Sequence, residues 1–203
     1  MSRSLFQLNK KRMKNLVFLL LLIAVSSAAQ AQSFSIGPKA GLNLSNYTGG
    51  DIKSKSRVGY HVGGLLNFGF GSVFSIQPEV LFSTQGARIE NNGFRQEFKI
   101  SYITVPVLLK FKGKNGLYFE FGPQFGFRSS QDIPDQTIRN FSKNLDLSGA
   151  VGLGWQSNIG LGIGFRYVAG ISKVGNFSVG NLNPDFRNSV IQASLFWAIP
   201  LIN

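Results

Sequence analysis

The segment 118–128, YFEFGPQFGFR, alternates strictly between two kinds of side chain. Its odd positions from 119 to 127 carry four Phe and one Pro, whereas its even positions carry Tyr, Glu, Gly, Gln, Gly and Arg. Side chains that alternate with period two lie on opposite faces of a β-strand. The segment therefore predicts a strand with one aromatic face and one face of small and polar residues.

The same alternation recurs along the chain. In 159–167, for example, Ile, Leu, Ile, Phe and Tyr alternate with Gly, Gly, Gly and Arg. Such segments are longer than strands of soluble proteins, which typically have roughly 5–6 residues, and they suit tilted strands that need roughly 9–11 residues to cross a bilayer. The eight predicted strands are about 33–47, 57–70, 73–86, 97–112, 116–128, 145–157, 159–173 and 187–199.

The composition of the two faces indicates which one lies inside a closed barrel. A small barrel has no room for many aromatic rings, but it needs small residues in its lumen. The face rich in Phe, Ile, Leu and Val is therefore predicted to contact lipid, and the Gly-rich polar face to fill the lumen. Closure also removes the unpaired edges that a bilayer does not tolerate. The predicted fold class is all-β, an eight-stranded antiparallel, up-and-down transmembrane β-barrel.

Charged residues follow the predicted inner face. A charge on the lipid face at mid-bilayer costs roughly 2–4 kcal/mol, and buried charges need partners of opposite sign. Because the interior of an eight-stranded barrel is just wide enough for side chains to fill, we expect an ion-pair network rather than an open pore. The residues predicted for this network are Lys39, Glu79, Lys110, Glu120, Arg128, Asp146 and Arg166.

The connections alternate between short and long. Short turns are predicted at 69–72, 113–116 and 157–158, and longer polar loops at 48–56, 87–96, 129–144 and 174–186. Outer-membrane barrels have short periplasmic turns and longer external loops, so both termini are predicted to be periplasmic. The aromatic residues predicted near the periplasmic rim are Phe34, Phe68, Phe74, Phe111, Trp155 and Trp197. The candidate contacts in the external loops are Arg139, Phe141, Phe177 and Phe186.

Residues 1–31 have the layout of a secretory signal peptide. A basic region without acids precedes the apolar run 16–25, LVFLLLLIAV, and Ala29-Gln30-Ala31 forms an A-x-A cleavage site. Ten apolar residues are too few for a membrane span, which needs roughly 20. The expected domains are a signal peptide at 1–31 and one barrel domain at 32–203, with translation starting at Met1 or Met13.

Composition excludes several classes of protein. The chain of 203 residues has a formal charge of +12, but removal of 1–31 takes away five positive charges and leaves +7, spread along the sequence. We therefore expect no nucleic-acid partner. The absence of cysteine excludes disulfides and thiol chemistry, and one His with nine scattered acids leaves little material for a metal site.

Prolines 38, 78, 106 and 123 lie within predicted strands. Proline normally argues against a central strand because it cannot donate to the ladder. We interpret these four as bulges or as places where one ladder hydrogen bond is missing.

Three segments resemble a known family: 37–43 (GPKAGLN), 76–82 (IQPEVLF) and above all 102–110 (YITVPVLLK). The chain resembles the PorT-like family of small outer-membrane β-barrels found in Bacteroidota. The resemblance implies an eight-stranded barrel in the outer membrane, and one member of the family is linked to secretion and surface maturation of exported proteases. The tail 200–203 departs from the pattern, because many barrels end on an aromatic residue and here the last one is Trp197.

His61, the single histidine, has inward parity and is predicted to be a packed lumen residue. No G-x-S-x-G motif accompanies it, so we expect neither a catalytic residue nor an enzyme. The glycines of 160–164 alternate with period two outside any strand-turn-helix context, which argues against a dinucleotide loop. No cofactor or metal is expected.

The sequence favours a structural or accessory barrel of the cell envelope that assists protein secretion. The alternatives are an adhesion or ligand-binding barrel acting through its four loops, a narrow transport channel, an enzyme using His61, and a soluble exported β-sandwich. The expected partners are outer-membrane lipid and lipopolysaccharide, the barrel-assembly machinery and secretion components.

Overall fold

A computed structural model describes residues 33–48, 54–91, 94–132, 145–171 and 187–202. Its strands are β1 (Ser33–Thr48), β2 (Ser54–Phe70), β3 (Phe74–Asn91), β4 (Phe94–Lys112), β5 (Leu117–Asp132), β6 (Leu145–Gln156), β7 (Leu161–Gly170), β8 (Arg187–Trp197) and β9 (Ile199–Ile202). Each strand from β1 to β7 pairs antiparallel with the strand that follows it, and β1 also pairs with β8 and β9. The sheet thus closes into an eight-stranded barrel, with β9 continuing β8, and the predicted fold class is confirmed. The described residues include no helix long and apolar enough to cross a membrane.

The barrel has its apolar side chains outside and its polar side chains inside. In β7, for example, Phe165 is 56% exposed, whereas the neighbouring Arg166 is 3% exposed. The same strict alternation runs through β8. This distribution is the reverse of that in a soluble barrel and is typical of a barrel whose outer face contacts lipid.

The prolines inside the strands interrupt the ladder without shifting it. Pairing lapses between β2 and β3 at Pro78, between β3 and β4 at Pro106, and between β4 and β5 at Pro123. Each ladder resumes in its previous register, because a proline lacks only the N–H group and adds no residue. Of the two interpretations, the missing ladder bond is correct here.

The C-terminal segment is a strand, which corrects the interpretation of 200–203 as a tail. The backbone N–H of Ala198 donates to the carbonyl of Gly160 (2.9 Å), and this contact with the β6–β7 turn separates β8 from β9. The chain then pairs again with β1, at Phe34–Ile36. The opposing interruption in β1 contains Pro38, which has no N–H to offer.

The predicted long loop 87–96 is also wrong. β3 continues to Asn91 and β4 begins at Phe94, and these two residues pair with each other. β2 likewise begins at Ser54 rather than at 57, and β5 continues to Asp132. Outside the bilayer both faces of a strand meet water, so its backbone ladder continues where the apolar alternation has ended.

Candidate functional site

Four charged side chains meet in the middle of the lumen. Lys39, Glu79, Glu120 and Arg166 come from β1, β3, β5 and β7, which are alternate strands of the barrel, and all four are buried. The guanidinium of Arg166 donates to both oxygens of Glu79 (2.8 and 2.9 Å) and to Oε1 of Glu120 (2.6 and 2.9 Å). Lys39 Nζ contacts the other side of Glu79 (3.0 and 3.2 Å). We call these four residues the lumen quartet.

The two carboxylates of the quartet are not equally satisfied. Glu79 also accepts a hydrogen bond from Gln77 Nε2 (2.8 Å), so both of its oxygens have several donors. Glu120 uses Oε1 for Arg166, and its Oε2 has no hydrogen-bond partner among the described residues. Arg166 is therefore the hydrogen-bonded cation of Glu120.

Lys110 lies on one side of the quartet and has partners of a different kind. Its Nζ donates to the amide oxygens of Gln77 (3.2 Å) and Gln156 (2.9 Å). The same ammonium lies 4.0 Å from the ring centre of Tyr118 and 4.7 Å from that of Phe196, which are cation–π distances. Glu120 opposes Lys110 across the β4–β5 pair, but none of the described hydrogen bonds of Lys110 reaches a carboxylate.

The structure places the other two predicted network residues differently. Asp146 is buried and accepts a hydrogen bond from Asn188 Nδ2 (2.9 Å), with Ser148 Oγ at 3.5 Å. Arg128 is half-buried and follows a register shift between β4 and β5. The amide and hydroxyl neighbours of Asp146 follow from the barrel register, which the sequence did not reveal.

His61 is buried between two polar side chains from other strands. Its Nδ1 lies 2.8 Å from Asn43 Oδ1 and its Nε2 lies 2.9 Å from Ser194 Oγ. Asn43 Nδ2 donates to the backbone carbonyls of Tyr60 and Thr84, which only accept, so Oδ1 is the atom that faces the histidine. The sequence predicted the inward position of His61 but missed both partners, which are 18 and 133 residues away.

This arrangement predicts the tautomer of His61. Because Asn43 Oδ1 accepts, neutral His61 carries its hydrogen on Nδ1, and Nε2 accepts from Ser194. Nitrogen-15 NMR of the histidine-labelled protein should show a protonated Nδ1 and an unprotonated Nε2. The S194A variant should keep that tautomer, because Asn43 is unchanged. A hydrogen on Nε2 in the wild-type protein would contradict the assignment.

Glycines on the inner face leave room for the larger lumen residues. A Cβ at Gly164 would meet the hydroxyl of Tyr118, with the ring carbon that bears it at 3.5 Å. A Cβ at Gly154 would meet both Tyr118 and the backbone carbonyl of Ile163. The period-two glycines therefore serve packing, which is the role that small residues have in a narrow barrel.

These contacts predict a specific rescue. We expect G164A to destabilise the barrel by about 1–3 kcal/mol through overpacking, and Y118F to recover most of that loss by removing the hydroxyl. The matched variant G154A should not be recovered by Y118F, because the Ile163 carbonyl remains in the way. Urea unfolding of the three single and two double variants measures both effects, and equal rescue at the two positions would refute this packing account.

The aromatic residues predicted for the periplasmic rim lie at the end of the barrel that carries the short turns. Phe34 packs on Phe68 (5.1 Å between ring centres), and Phe74 packs on Phe111 (5.3 Å). Phe68 is only 6% exposed, so it is covered by neighbouring side chains rather than open to lipid. The two tryptophans donate to backbone carbonyls of the turns, Trp155 to Asn115 (3.0 Å) and Trp197 to Ile159 (2.9 Å).

The external-loop candidates Arg139, Phe141, Phe177 and Phe186 lie outside the described residues. Within the part of the chain that the structure describes, no three His, Asp or Glu side chains come together in a way that could hold a metal ion.

Solved structures with the same architecture are small outer-membrane barrels. Neisserial surface protein A is similar with a TM-score of 0.50 and 13% identity, over 82% of this chain and 97% of that one. OprG from Pseudomonas aeruginosa (TM-score 0.48, 11% identity, 83% and 97% coverage) and Ail from Yersinia pestis (0.48, 13%, 82% and 98%) also match. No curated protein sequence matches significantly.

A family model described as the outer membrane protein beta-barrel domain matches residues 29–176, which is well over half of the chain. The match covers seven of the eight barrel-crossing strands, including those that carry the lumen quartet. It places the barrel in the outer membrane, in agreement with the apolar outer face. The chain belongs to the outer membrane protein beta-barrel domain family.

Proposed function

We propose that this barrel is a non-conducting accessory protein of the outer membrane that assists protein secretion. The observation that carries the non-conducting part is the lumen quartet. Arg166 reaches from β7 to Glu120 on β5 and Glu79 on β3, and Lys39 on β1 joins from the opposite side. These side chains link four alternate strands across the lumen, and no member is more than 4% exposed.

A channel would need a continuous aqueous path through this level of the barrel. Opening such a path would separate Arg166 from Glu79 and expose two carboxylates that are now paired within a low-dielectric interior. Breaking a buried ion pair typically costs several kcal/mol. The purified protein in planar bilayers should therefore show no conductance steps, under conditions in which a large porin does.

The secretion part of the proposal rests on the resemblance to the PorT-like family. Its most specific segment, 102–110, lies in β4 and places Tyr102, Thr104, Leu108 and Lys110 in the lumen. The positions that alternate with them, such as Ile103, face outward. The segment that carries the resemblance is thus part of the same packed interior that supports a non-conducting barrel.

The secretion role is tested by comparing the secreted and surface-attached proteomes of a deletion strain, its parent and a complemented strain. We expect the deletion to lose a set of exported proteins that share a C-terminal sorting domain, and complementation to restore them. Unchanged proteomes would overturn the secretion role and leave the barrel fold untouched.

We propose a packing role for His61 rather than a catalytic one. His61 is 1% exposed and Ser194 is 8% exposed, so a substrate carbonyl has no approach to the serine hydroxyl. The S194A variant should therefore complement the deletion strain as well as the wild type does.

We also propose that the short turns and both termini face the periplasm, and that the opposite end meets lipopolysaccharide. The chain has no native cysteine, so single-cysteine variants report orientation directly. We expect a membrane-impermeant maleimide to label Q136C, in the segment between β5 and β6, on intact cells. It should label K114C, in an exposed short turn, only after the outer membrane is permeabilised. The reverse pattern would invert the topology.

A further inference from the structure

A cavity of about 220 Å³ lies inside the end of the barrel that carries the short turns. It is bounded by the start of β1, the turns β2–β3 and β6–β7, and the ends of β4 and β6. Lys110 forms part of its inner wall, and Lys112 lies two residues further along β4, nearer to the exit. The cavity is therefore separate from the packed quartet and open to one side of the membrane.

The charge of this cavity is unbalanced. Two lysines line it, and none of the described residues around it is acidic. Lys39, by comparison, is paired with Glu79 inside the quartet (3.0 Å). The hydrogen-bond and ring partners of Lys110 are all uncharged, and the carboxylate that acts on its charge, Glu120, opposes it across the β4–β5 pair and lies outside the cavity wall. An anion bound in the cavity would add the counter-charge that the cavity wall itself lacks.

The polar groups of the wall are arranged as donors. Ser75 Oγ accepts from Asn67 Nδ2 (3.0 Å), which leaves its own O–H free to donate. Gln156 Oε1 accepts from Lys110, which leaves its two N–H donors free. Ser33 and Ser35 add hydroxyl groups from β1. Donors therefore come from β1, β3, β4 and β6, on several sides of one small volume.

We propose that this cavity binds a phosphate group, either as inorganic phosphate or as the phosphate of a lipid headgroup. A tetrahedral anion presents four oxygens, which suits donors that converge from several strands, whereas a planar carboxylate presents two. The absence of acidic wall residues avoids repulsion of the anion. Charge-assisted hydrogen bonds of this kind are about twice as strong as neutral ones.

The test uses the full mature chain, folded in a zwitterionic detergent at about 0.15 M salt, where exposed charges are largely screened. Phosphorus-31 NMR and calorimetry measure binding of inorganic phosphate and, separately, of short-chain phosphatidic acid. We expect saturable binding of at least one probe with one site per barrel. Competition between the probes shows that both use the same site, and binding of only one identifies the source of the phosphate.

Three variants separate the cavity from non-specific attraction. K112Q removes a half-buried cavity charge and S75A removes one donor, and each should weaken binding at least about tenfold, the usual effect of losing one hydrogen bond to a charged group. K114Q makes the same charge change in an exposed turn outside the cavity and should bind as the wild type does. Heat-modified gel mobility verifies that each variant is folded.

Two results would overturn the proposal. One is the absence of saturable binding of either probe to the folded wild-type protein at millimolar concentrations. The other is binding that K112Q and S75A leave unchanged, or that K114Q weakens as much as K112Q does, because the anion would then be attracted by overall charge.

Discussion

Replacement of Arg166 by Met should destabilise the folded barrel by about 3–5 kcal/mol, the usual result of removing one partner from a buried ion pair. Arg166 supplies four hydrogen bonds to two carboxylates, Glu79 and Glu120. Methionine fills much of the same volume but leaves both carboxylates without the guanidinium. Glu79 keeps Lys39 as a hydrogen-bonded partner, whereas Glu120 keeps no hydrogen-bonded cation among the described residues, and Lys110 opposes it only across the β4–β5 pair.

This difference between Glu79 and Glu120 allows the cost of the unpaired carboxylate to be separated from the cost of lost packing. Adding E120Q to R166M should restore part of the lost stability, because an amide needs no counter-charge. The matched control is R187M, the same change at an exposed position at the start of β8, for which we expect less than about 0.5 kcal/mol. Urea unfolding in phospholipid vesicles, followed by tryptophan fluorescence and heat-modified gel mobility, measures all three variants.

If R166M were no less stable than R187M, the quartet would contribute nothing to the folded state. If E120Q failed to recover any stability in the R166M background, the loss would come from packing rather than from the isolated carboxylate. Either result would remove the physical basis for describing the lumen as closed by charge pairing.

The inward positions of the quartet followed from the sequence because the alternation is unbroken around each member. Parity alone places Glu120 and Arg166 in the lumen. It does not say which charges meet, since Arg166 and Glu79 are 87 residues apart and become partners only when the barrel closes with a particular register. The same limit applies to Ser194, which reaches His61 across the joined ends of the sheet.

Parity also fails where a strand is irregular. Ser83, Thr84, Gln85 and Gly86 are four consecutive buried residues of β3, next to a register shift in its pairing with β2. Thr84 Oγ1 there accepts from the backbone N–H of Tyr60 (2.9 Å), so a side chain substitutes for a ladder bond. No simple sequence pattern distinguishes such a site from continuous alternation.

The ends of the strands were the least predictable part of the fold. In the bilayer, alternation is imposed by lipid on one side and a narrow lumen on the other. Beyond it, only backbone pairing holds two strands together, and polar residues such as those between Arg88 and Asn91 resemble a loop in sequence. At the C-terminus, strand β9 (Ile199–Ile202) could not be predicted from the sequence because the alternation stops at Ala198. That interruption depends on a contact with the Gly160 carbonyl.

The second large effect is expected on the lipid face. Phe165 lies in the middle of β7, is 56% exposed, and is flanked by Leu153 and Ala193 on the neighbouring strands. We expect F165R to destabilise the barrel by about 2–4 kcal/mol, the cost of placing an arginine on the lipid face near the bilayer midplane. Unfolding in phospholipid vesicles measures this cost, because detergent lets a long side chain reach water more easily.

The control is I159R, an equally apolar and exposed position in the β6–β7 turn, where the cost should fall to about 0–1 kcal/mol because the charge lies at the interface. Equal costs at the two positions would mean that the aromatic face does not lie in hydrocarbon. The next residue along the chain, Arg166, shows where this barrel does accept an arginine. Arg166 places a guanidinium on the same strand, one position from Phe165, and is compatible with the fold because it faces two carboxylates instead of lipid.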